Sequence, residues 1–294
     1  MHLAAIAGST QIVELMVDRV KADVQMRTTD GSTLMHLAAA HGHVDCVLAF
    51  VKRDVPLHMP NKAGIMSLHL AARNGHVQVV RTLLEKGAPI NARTKQRLTA
   101  MHLAVMYDKP QVIQLLMGFG ANVDIKGGLS GETPLHIAAN NNAVECAKML
   151  LLSGANVNTA TGGEQETALH MACRRGFVQL AELLLNEGAN YHVLSKAGES
   201  ALHLAVRHSH SKIVRLLIDF ILRKASIRDV THLVNLQSNE GETALHLCFE
   251  LTDARIHYRF EDVDIARSLL QNGAETLAIT KHVGCFELGR WKFR

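Results

Sequence analysis

The sequence is poor in aromatic residues and has no long apolar run. Only 4% of its 294 residues are aromatic, with a single tryptophan, whereas 48% are hydrophobic. No uncharged apolar stretch approaches the ~18 to 20 residues that cross a bilayer, so we expect no membrane span in this chain. The apolar residues are mainly Leu, Ala and Val, which suits thin layers packed on neighbouring layers and not one large aromatic core.

Cysteine is also scarce, and charge is not gathered into blocks. The five cysteines form no close pairs, and the chain has no Asn-x-Ser/Thr acceptor and no signal peptide. We therefore expect buried cysteines in a reducing cytosol and a cytoplasmic location. The net charge of +4 comes from basic residues scattered among acidic ones, so nucleic acid is not an expected partner.

Motifs for catalysis are absent as well. The chain has no phosphate loop, nucleophile elbow, zinc-protease helix or kinase signature, so we predict no enzymatic activity, no cofactor and no small-molecule substrate. Histidine clusters occur at residues 41–43, at His170 with Cys173, and at His203 with His208 and His210. They lack paired ligands converging from two elements, so no metal site is expected.

What the sequence has in abundance is one repeated motif. Its clearest copy is Gly131-Glu132-Thr133-Pro134-Leu135-His136-Ile137-Ala138-Ala139, and the histidine recurs every 33 or 34 residues, with one interval of 43. The equivalent histidines are His2, His36, His69, His102, His136, His170, His203 and His246. This pattern resembles the ankyrin repeat, a hairpin turn followed by two antiparallel helices. We predict an all-α ankyrin-repeat solenoid of about eight repeats.

The period predicts where each repeat lies. The array should occupy residues 1–280, with repeats at about 1–28, 29–61, 62–94, 95–128, 129–162, 163–195, 196–238 and 239–280. The first copy is truncated, because the chain enters in the middle of the motif. Residues 281–294 have no ankyrin periodicity and contain the tryptophan. They are either a partner-binding tail or the artefactual end of a truncated gene model, and the truncated start favours the second interpretation.

Two consecutive repeats are lengthened. The seventh is predicted to have a stretched second helix from Ile213 to about Arg228 and then a loop to Asn239. The eighth should carry about nine extra residues between its helices, around 253–261, before a helix from Val263. Insertions in repeat proteins map to loops on one face, which is often the binding face.

The motif residues have structural roles. Thr133 should start the first helix, its hydroxyl accepting a backbone N–H, and Pro134 suits the first helical position. Each repeated histidine should bond the threonine of its own repeat and a backbone group of the neighbouring turn. Arg97 and Gln165 replace the turn glycine and Met66 replaces the threonine, so those layers should be weaker, with turns that are strained or differently shaped.

Positions four and five after each histidine are predicted to face a protein-binding groove. They are Ala40, His41, Arg73, Asn74, Met106, Tyr107, Asn140, Asn141, Arg174, Arg175, Arg207 and His208. Met106 and Tyr107 would anchor a protein partner, and the basic residues from Arg174 to His208 would cradle an acidic extended segment along the sixth and seventh repeats. The alternative is that all of these are merely solvated surface residues.

A narrower resemblance lies in the late repeats. Gly198-Glu199-Ser200-Ala201-Leu202-His203 and Asn239-Glu240-Gly241-Glu242-Thr243-Ala244-Leu245-His246, each in a lengthened repeat, are similar to the ankyrin domain of TRPN channels, the NompC type of transient receptor potential channel. The resemblance implies a section of the cytoplasmic ankyrin helix that tethers microtubules, a cytoskeletal partner, to a mechanosensitive cation pore. The alternative is a free-standing cytosolic adaptor or regulatory subunit.

Overall fold

The computed structural model describes residues 1–253 and 260–276, and this part of the chain is helical. It contains no β-strand, only two isolated bridges, Arg27 with Thr33 and Gly127 with Glu132. The helices are α1 (His2–Ala7), α2 (Thr10–Asp18), α3 (Leu34–Ala40), α4 (Val44–Val51), α5 (Ser67–Asn74), α6 (Val77–Glu85), α7 (Ala100–Met106), α8 (Pro110–Gly118), α9 (Pro134–Asn141), α10 (Val144–Leu152), α11 (Ala168–Arg175), α12 (Val178–Asn186), α13 (Ala201–Arg207), α14 (Ser211–Lys224), α15 (Ile227–Val234), α16 (Ala244–Asp253) and α17 (Phe260–Gln271). The predicted all-α class is confirmed.

The chain divides into two compact units, whereas the sequence predicts one array. The first unit is Met1–Asn156, with α1 to α10, and the second starts at Val157 and contains α11 to α17. Within the first unit α3 packs on α5 and α5 on α7, and within the second α11 packs on α13 and α13 on α16. The pair α5 and α6 lies inside the predicted repeat 62–94, and α11 and α12 lie inside 163–195. The repeat boundaries themselves stay a prediction.

Each first helix begins where an extended residue meets a short run of apolar residues. Thr133 is extended, with φ −86° and ψ 166°, and Pro134 follows at the first helical position. Its missing N–H costs nothing there because the first N–H groups of a helix have no partner within it. Ala138 and Ala139 are fully buried. Small side chains on this face let the first helices of neighbouring repeats approach closely, and the second helices complete the core.

In several first helices a histidine at the third position connects two repeats. The His36 Nδ1 atom lies 2.8 Å from the Thr33 hydroxyl and accepts the Thr33 backbone N–H at 3.1 Å. Its Nε2 atom lies 2.8 Å from the carbonyl oxygen of Ile65 in the next repeat. For His102, His170 and His203 the Nε2 atom lies 3.2 Å from a carbonyl oxygen of the next repeat, whereas that of His69 lies 3.0 Å from the carbonyl oxygen of Ala92, at the end of its own predicted repeat. The expected two-sided bonding is therefore present at these positions except His69.

The hydrogen bonds also fix the tautomer of the ring. Because the backbone N–H of Thr99 donates to His102 Nδ1, that nitrogen is an acceptor and Nε2 carries the proton that reaches the next repeat. The threonine hydroxyl lies closer to the histidine ring than to the backbone amide that was predicted as its partner. Thr99 Oγ1 lies 3.5 Å from the His102 backbone nitrogen but 2.8 Å from Nδ1.

Burial keeps these rings neutral. It lowers the pKa of His102 and of His170 to about 4, and it lowers the pKa of His36, His69 and His203 as well. The cause is that water cannot solvate a charged ring at these positions. A proton on Nδ1 would also point at the backbone N–H group from which this nitrogen accepts a hydrogen bond. The bond that Nδ1 accepts at the helix start therefore requires uncharged imidazole.

A second set of histidines, which the repeat pattern did not predict, joins the second helices to the preceding repeat. These residues stand just before a second helix, and each Nε2 atom lies 2.7 to 2.9 Å from a carbonyl oxygen one repeat earlier: His43 with Ile6, His76 with Ala40, and His210 with Arg174. The ring rests on a glycine of that repeat. A Cβ atom on Gly8 would come within 2.4 Å of the His43 ring. The available signal was this pairing of histidine with a glycine one repeat before it.

Among the turns that precede first helices, two hold a side chain in the left-handed region. Arg97 has φ 62° and Gln165 has φ 54°, where the equivalent Gly198 has φ 75°. The Arg97 N–H donates to the Thr94 carbonyl at 2.8 Å, as the Gly198 N–H does to Ser195 at 2.9 Å. The Arg97 turn thus keeps its shape, and the cost is a backbone conformation that is unfavourable for residues with a Cβ atom. The Gln165 turn has the same unfavourable conformation and is also differently shaped, because the Thr161 N–H bonds the Glu166 carbonyl five residues on, whereas the Thr94 N–H bonds that of Leu98 four residues on.

The prediction of a single stretched helix in the seventh repeat is wrong. Instead of running to Arg228, α14 ends at Lys224 and the separate helix α15 follows within the predicted loop. The Ser226 hydroxyl accepts the Asp229 N–H at 3.3 Å, and the Asp229 carboxylate accepts the Ser226 N–H at 3.0 Å. This reciprocal capping starts a new helix and interrupts the old one. α15 buries Val230 and packs on α14.

The eighth repeat is described in part. Its second helix, predicted from Val263, begins earlier, at Phe260. Residues 254–259 and 277–294 lie outside the described residues. Most of the predicted insertion at 253–261 and the whole of the predicted tail at 281–294 therefore stay predictions.

Stability is expected to fall in mild acid because the connecting histidines must stay neutral. Their pKa values are lowered on folding, so the unfolded chain binds more protons below pH ~6.5, and stability is lost as the pH falls toward 4. His102 and His170 should each cost about 2 kcal/mol between pH 7.5 and 5. Urea midpoints measured across this range test the prediction. A His102→Gln variant should be less stable at pH 7.5 and show a shallower dependence; an unchanged slope would contradict the assignment.

The third repeat should gain stability from the threonine it lacks. Met66 offers His69 only its backbone N–H, at 3.0 Å, without the hydroxyl contact of the other repeats. We expect Met66→Thr to raise the free energy of unfolding by about 0.5 to 1 kcal/mol, the usual range for a helix-start hydroxyl. The reciprocal Thr99→Met should lower it by a similar amount. Equal denaturation midpoints for both variants and the wild type would refute the role of the hydroxyl.

Relief of the strained turns should also be measurable. Gln165→Gly and Arg97→Gly are each expected to stabilise the chain by about 0.5 to 1 kcal/mol, because the left-handed conformation costs a residue with Cβ more than the added chain entropy of glycine. As the opposite control, Gly198→Ala should destabilise it, since a Cβ there would meet the Asn239 backbone nitrogen at 2.6 Å. The melting temperatures of the three variants, compared with that of the wild type, test this prediction. A lower melting temperature for Gln165→Gly would show that contacts of the Gln165 side chain stabilise the chain by more than its backbone conformation costs.

Candidate functional site

The predicted binding residues lie at the carboxyl ends of the first helices. Arg73 and Asn74 end α5, Met106 ends α7 with Tyr107 following it, and Arg174 with Arg175 ends α11. They are exposed or half-buried, whereas the residues just before them are in the core. We call the surface formed by these helix ends and the turns before the first helices the groove surface.

In the first unit the groove surface contains a pocket of about 400 Å³. Its apolar walls are Leu70 and Leu103 from first helices and Ile65 and Leu98 from the residues before them. Met106 and Tyr107 also border it and are 38% and 41% exposed. Apolar side chains that remain accessible beside a pocket are the kind of surface on which binding energy concentrates.

The rim of this pocket is basic. The Arg73 guanidinium lies 4.7 Å from the centroid of the Tyr107 ring, a cation–π arrangement that holds both side chains at the rim. Lys95 lies on the turn opposite and is exposed. Within residues 1–253 and 260–276, neither Arg73 nor Lys95 has a carboxylate within 4.0 Å. The rim therefore carries uncompensated positive charge.

The predicted asparagines of the first unit are partly engaged. The Asn74 amide donates to the Ala40 carbonyl oxygen at 2.7 Å, and the Asn141 amide donates to that of Met106 at 3.4 Å. Asn140 is half-buried. Two of these three side chains thus help to join neighbouring repeats as well as lining the groove surface.

In the second unit the basic residues of the groove surface are paired within the chain. Arg174 forms an ion pair with Glu166. Arg207 lies 2.7 Å from Glu199 and 3.2 Å from Glu242 of the next repeat. Burial raises the pKa of Glu166, although Arg174 opposes the shift. The predicted cradle for an acidic segment is thus largely occupied by the chain's own carboxylates.

These glutamates are not among the residues predicted for the groove. Glu132, Glu166, Glu199 and Glu242 each stand directly before the residue that starts a first helix, and this recurrence was a readable signal. Arg175 and His208, the remaining members of the predicted cradle, are exposed. His208 lies beside His210, with ring centroids 6.2 Å apart, and burial lowers its pKa.

The histidine and cysteine clusters have structural partners. His43 and His210 join neighbouring repeats, and His170 lies between its own threonine and Glu199. The described residues contain no group of three or more His, Cys, Asp or Glu side chains that could hold a metal ion. The four cysteines of the described part are buried, as expected. Burial raises the pKa of Cys146 and of Cys248 to about 12, which keeps these thiols protonated.

No helix within the described ranges is both long and apolar enough to cross a membrane.

Comparison with known proteins identifies the repeat. The family model "Ankyrin repeats (3 copies)" matches residues 1–94, 68–161 and 169–278, and "Ankyrin repeats (many copies)" matches residues 138–185. Among solved structures, the human ASB11 ankyrin repeat domain is similar, with a TM-score of 0.64 and 24% sequence identity over 82% of this chain and 98% of that chain. At this identity the likeness concerns the fold alone. The predicted ankyrin-repeat solenoid is confirmed and, since the first model matches most of the sequence, this chain belongs to the ankyrin-repeat family.

Proposed function

We propose that this chain is a protein-binding scaffold that holds an extended segment of a partner on the groove surface of its first unit. Ankyrin repeats in general mediate protein–protein contacts and are not enzymes. The main support for this proposal is that Met106 and Tyr107 are accessible beside an apolar pocket, whereas the residues just before them in α7 are buried. Large apolar side chains exposed next to a pocket favour association with a partner.

The second unit is the weaker candidate for an acidic segment. The sequence predicts such a segment along the sixth and seventh repeats, and this stays a prediction. The ion pairs of Arg174 and Arg207 count against it, because a partner's carboxylate would have to displace one that is already bonded. The uncompensated charge at Arg73 and Lys95 makes the first unit the better place for a protein partner.

A second proposal is that the chain forms part of a TRPN-like mechanosensitive cation channel. Its support is the pair of consecutive lengthened repeats, the first of which contains α15. In this role the chain would lie on the cytoplasmic side of a membrane, transmit force elastically and contact the cytoskeleton. The alternative is a free-standing cytosolic adaptor or regulatory subunit. Transcripts that continue past codon 280 into apolar spans of ~20 residues would favour the channel.

A photo-crosslinking experiment tests the scaffold proposal. Benzoylphenylalanine replaces Tyr107 on the groove surface or, as a matched control, the exposed Arg81 on the second helix α6. On illumination in cells that express the chain, position 107 should crosslink a discrete partner protein, because the ring lies where the partner is expected to bind. Position 81 should not.

Mass spectrometry of the crosslinked products gives the readout. Crosslinks of the same proteins from both positions, or a discrete product from position 81 alone, would contradict binding on the groove surface. Circular dichroism of both substituted chains verifies that the helices are retained.

A further inference from the structure

The repeats of the second unit share a charge arrangement on the groove surface. The residue four before the connecting histidine is Glu199 in one repeat and Glu242 in the next, and the residue four after the first of these histidines is Arg207. The Arg207 Nε atom lies 2.8 Å from a Glu199 oxygen, and its Nη2 atom lies 3.2 Å from a Glu242 oxygen. Arg207 thus binds the carboxylate of its own repeat and that of the following one, and Arg174 at the same position binds that of its own repeat.

The third repeat has the arginine but not the carboxylates. Arg73 lies four residues after His69 and is the equivalent of Arg207. At the positions equivalent to Glu199 and Glu242 stand Ile65 and Leu98. In the part of the chain that the structure describes, no aspartate or glutamate lies within 4.0 Å of Arg73. Arg73 thus occupies the position at which Arg207 binds two carboxylates, but no described residue supplies a carboxylate to it.

The surrounding sequence does not replace the missing charge. Between Lys62 and Tyr107 the only acidic residue is Glu85, which lies on the second helix α6 and not on the groove surface. Over the same stretch Arg73 and Lys95 both line the pocket. An anion from outside the chain that binds beside this pocket would therefore meet two cations, and between Lys62 and Tyr107 no carboxylate on the groove surface competes with it.

The residues that replace the glutamates form the pocket. Ile65 and Leu98 are two of its apolar walls, and together with Leu70 and Leu103 they enclose about 400 Å³. This volume accommodates one large apolar side chain and lies at the lower end for ligand sites. The substitution of glutamate by Ile and Leu thus removes the internal partner of Arg73 and creates an apolar recess beside it.

We infer that this pocket takes a large apolar side chain of a partner protein whose adjacent residue is aspartate or glutamate. The apolar side chain lies between Leu70 and Leu103, and the carboxylate binds Arg73 and Lys95, as Glu199 and Glu242 bind Arg207. Tyr107 holds the Arg73 guanidinium in place before binding, which reduces the entropy that pairing costs. The inference rests on the proposed binding of an extended segment and specifies its chemistry.

A phage library of random 12-residue peptides, selected on the purified full chain, tests the inference. The enriched peptides should share a large apolar residue next to Asp or Glu. One enriched peptide is then synthesised with a fluorescent label, and its Kd is measured by anisotropy for the wild type and for Arg73→Gln. Exchange of the peptide's acidic residue for its amide, and Arg73→Gln, should each weaken binding about five- to tenfold.

A double-substitution cycle isolates the pair. If the acidic residue binds Arg73, the amide peptide should bind Arg73→Gln no more weakly than it binds the wild type, so the two losses do not add. The matched control is Arg174→Gln, at the same repeat position but already paired with Glu166, and it should change the Kd less than about twofold.

A second variant supplies the missing carboxylate from within the chain. Ile65→Glu copies Glu199 and should weaken binding of the acidic peptide about tenfold by pairing Arg73 internally, whereas Ile65→Gln should retain more of the affinity. Thermal melts establish that these variants fold. If Ile65→Glu does not fold, the cycle on Arg73 decides alone.

The outcomes separate the two proposals. Enriched peptides that lack an acidic residue, or that bind Arg73→Gln as tightly as the wild type, overturn this inference and leave groove-surface binding intact. If no peptide is enriched over an unrelated protein and position 107 crosslinks nothing, the proposed function falls and the inference falls with it.

Discussion

Within each unit, the neutral histidine at the third position of first helices such as α3 and α11 makes the contact on which the order of the repeats depends. Its Nδ1 atom accepts the N–H of the residue that starts the helix, and its Nε2–H reaches a carbonyl of the next repeat. One buried side chain thus fixes a local helix start and a contact between repeats. Because the ring must stay uncharged for the bond at Nδ1, local structure, packing and the response to acid have one physical origin.

Because the connecting histidines are not the residues of the groove surface, the groove surface can vary while the contacts between repeats are kept. The connecting residues point into the repeats, while the residues four and five positions later end the helix at the surface. In the second unit that surface is closed electrostatically by Glu166 with Arg174 and by Glu199 with Arg207. In the first unit the same positions give an open apolar pocket with a basic rim. Where glutamate is replaced by isoleucine or leucine, as at Ile65 and Leu98, the backbone pattern is kept but the arginine is left without a carboxylate at these positions. Such a surface can bind a partner.

The sequence was sufficient for the fold because the repeat period and the position of His136 reflect short-range geometry repeated many times. It was not sufficient where a contact depends on residues a whole repeat apart. The bond from His43 to Ile6 needs a glycine in the previous repeat, and the pairing of Arg207 with Glu242 needs the next repeat at a particular distance. Ser226 and Asp229 form a helix-start pattern, so the break between α14 and α15 could have been predicted. The apolar periodicity continues across the break and favoured a single helix instead.

The acceptors of the connecting histidines have an evolutionary consequence. Ile65 and Glu132 have unrelated side chains, yet each offers the same group, a main-chain carbonyl oxygen, to the preceding repeat. A carbonyl is supplied by every amino acid, so a repeat needs no matching residue in its neighbour to be joined to it. Tandem duplication or loss of a repeat can therefore change the length of such a protein in a single genetic event, without compensating substitutions at the new junction.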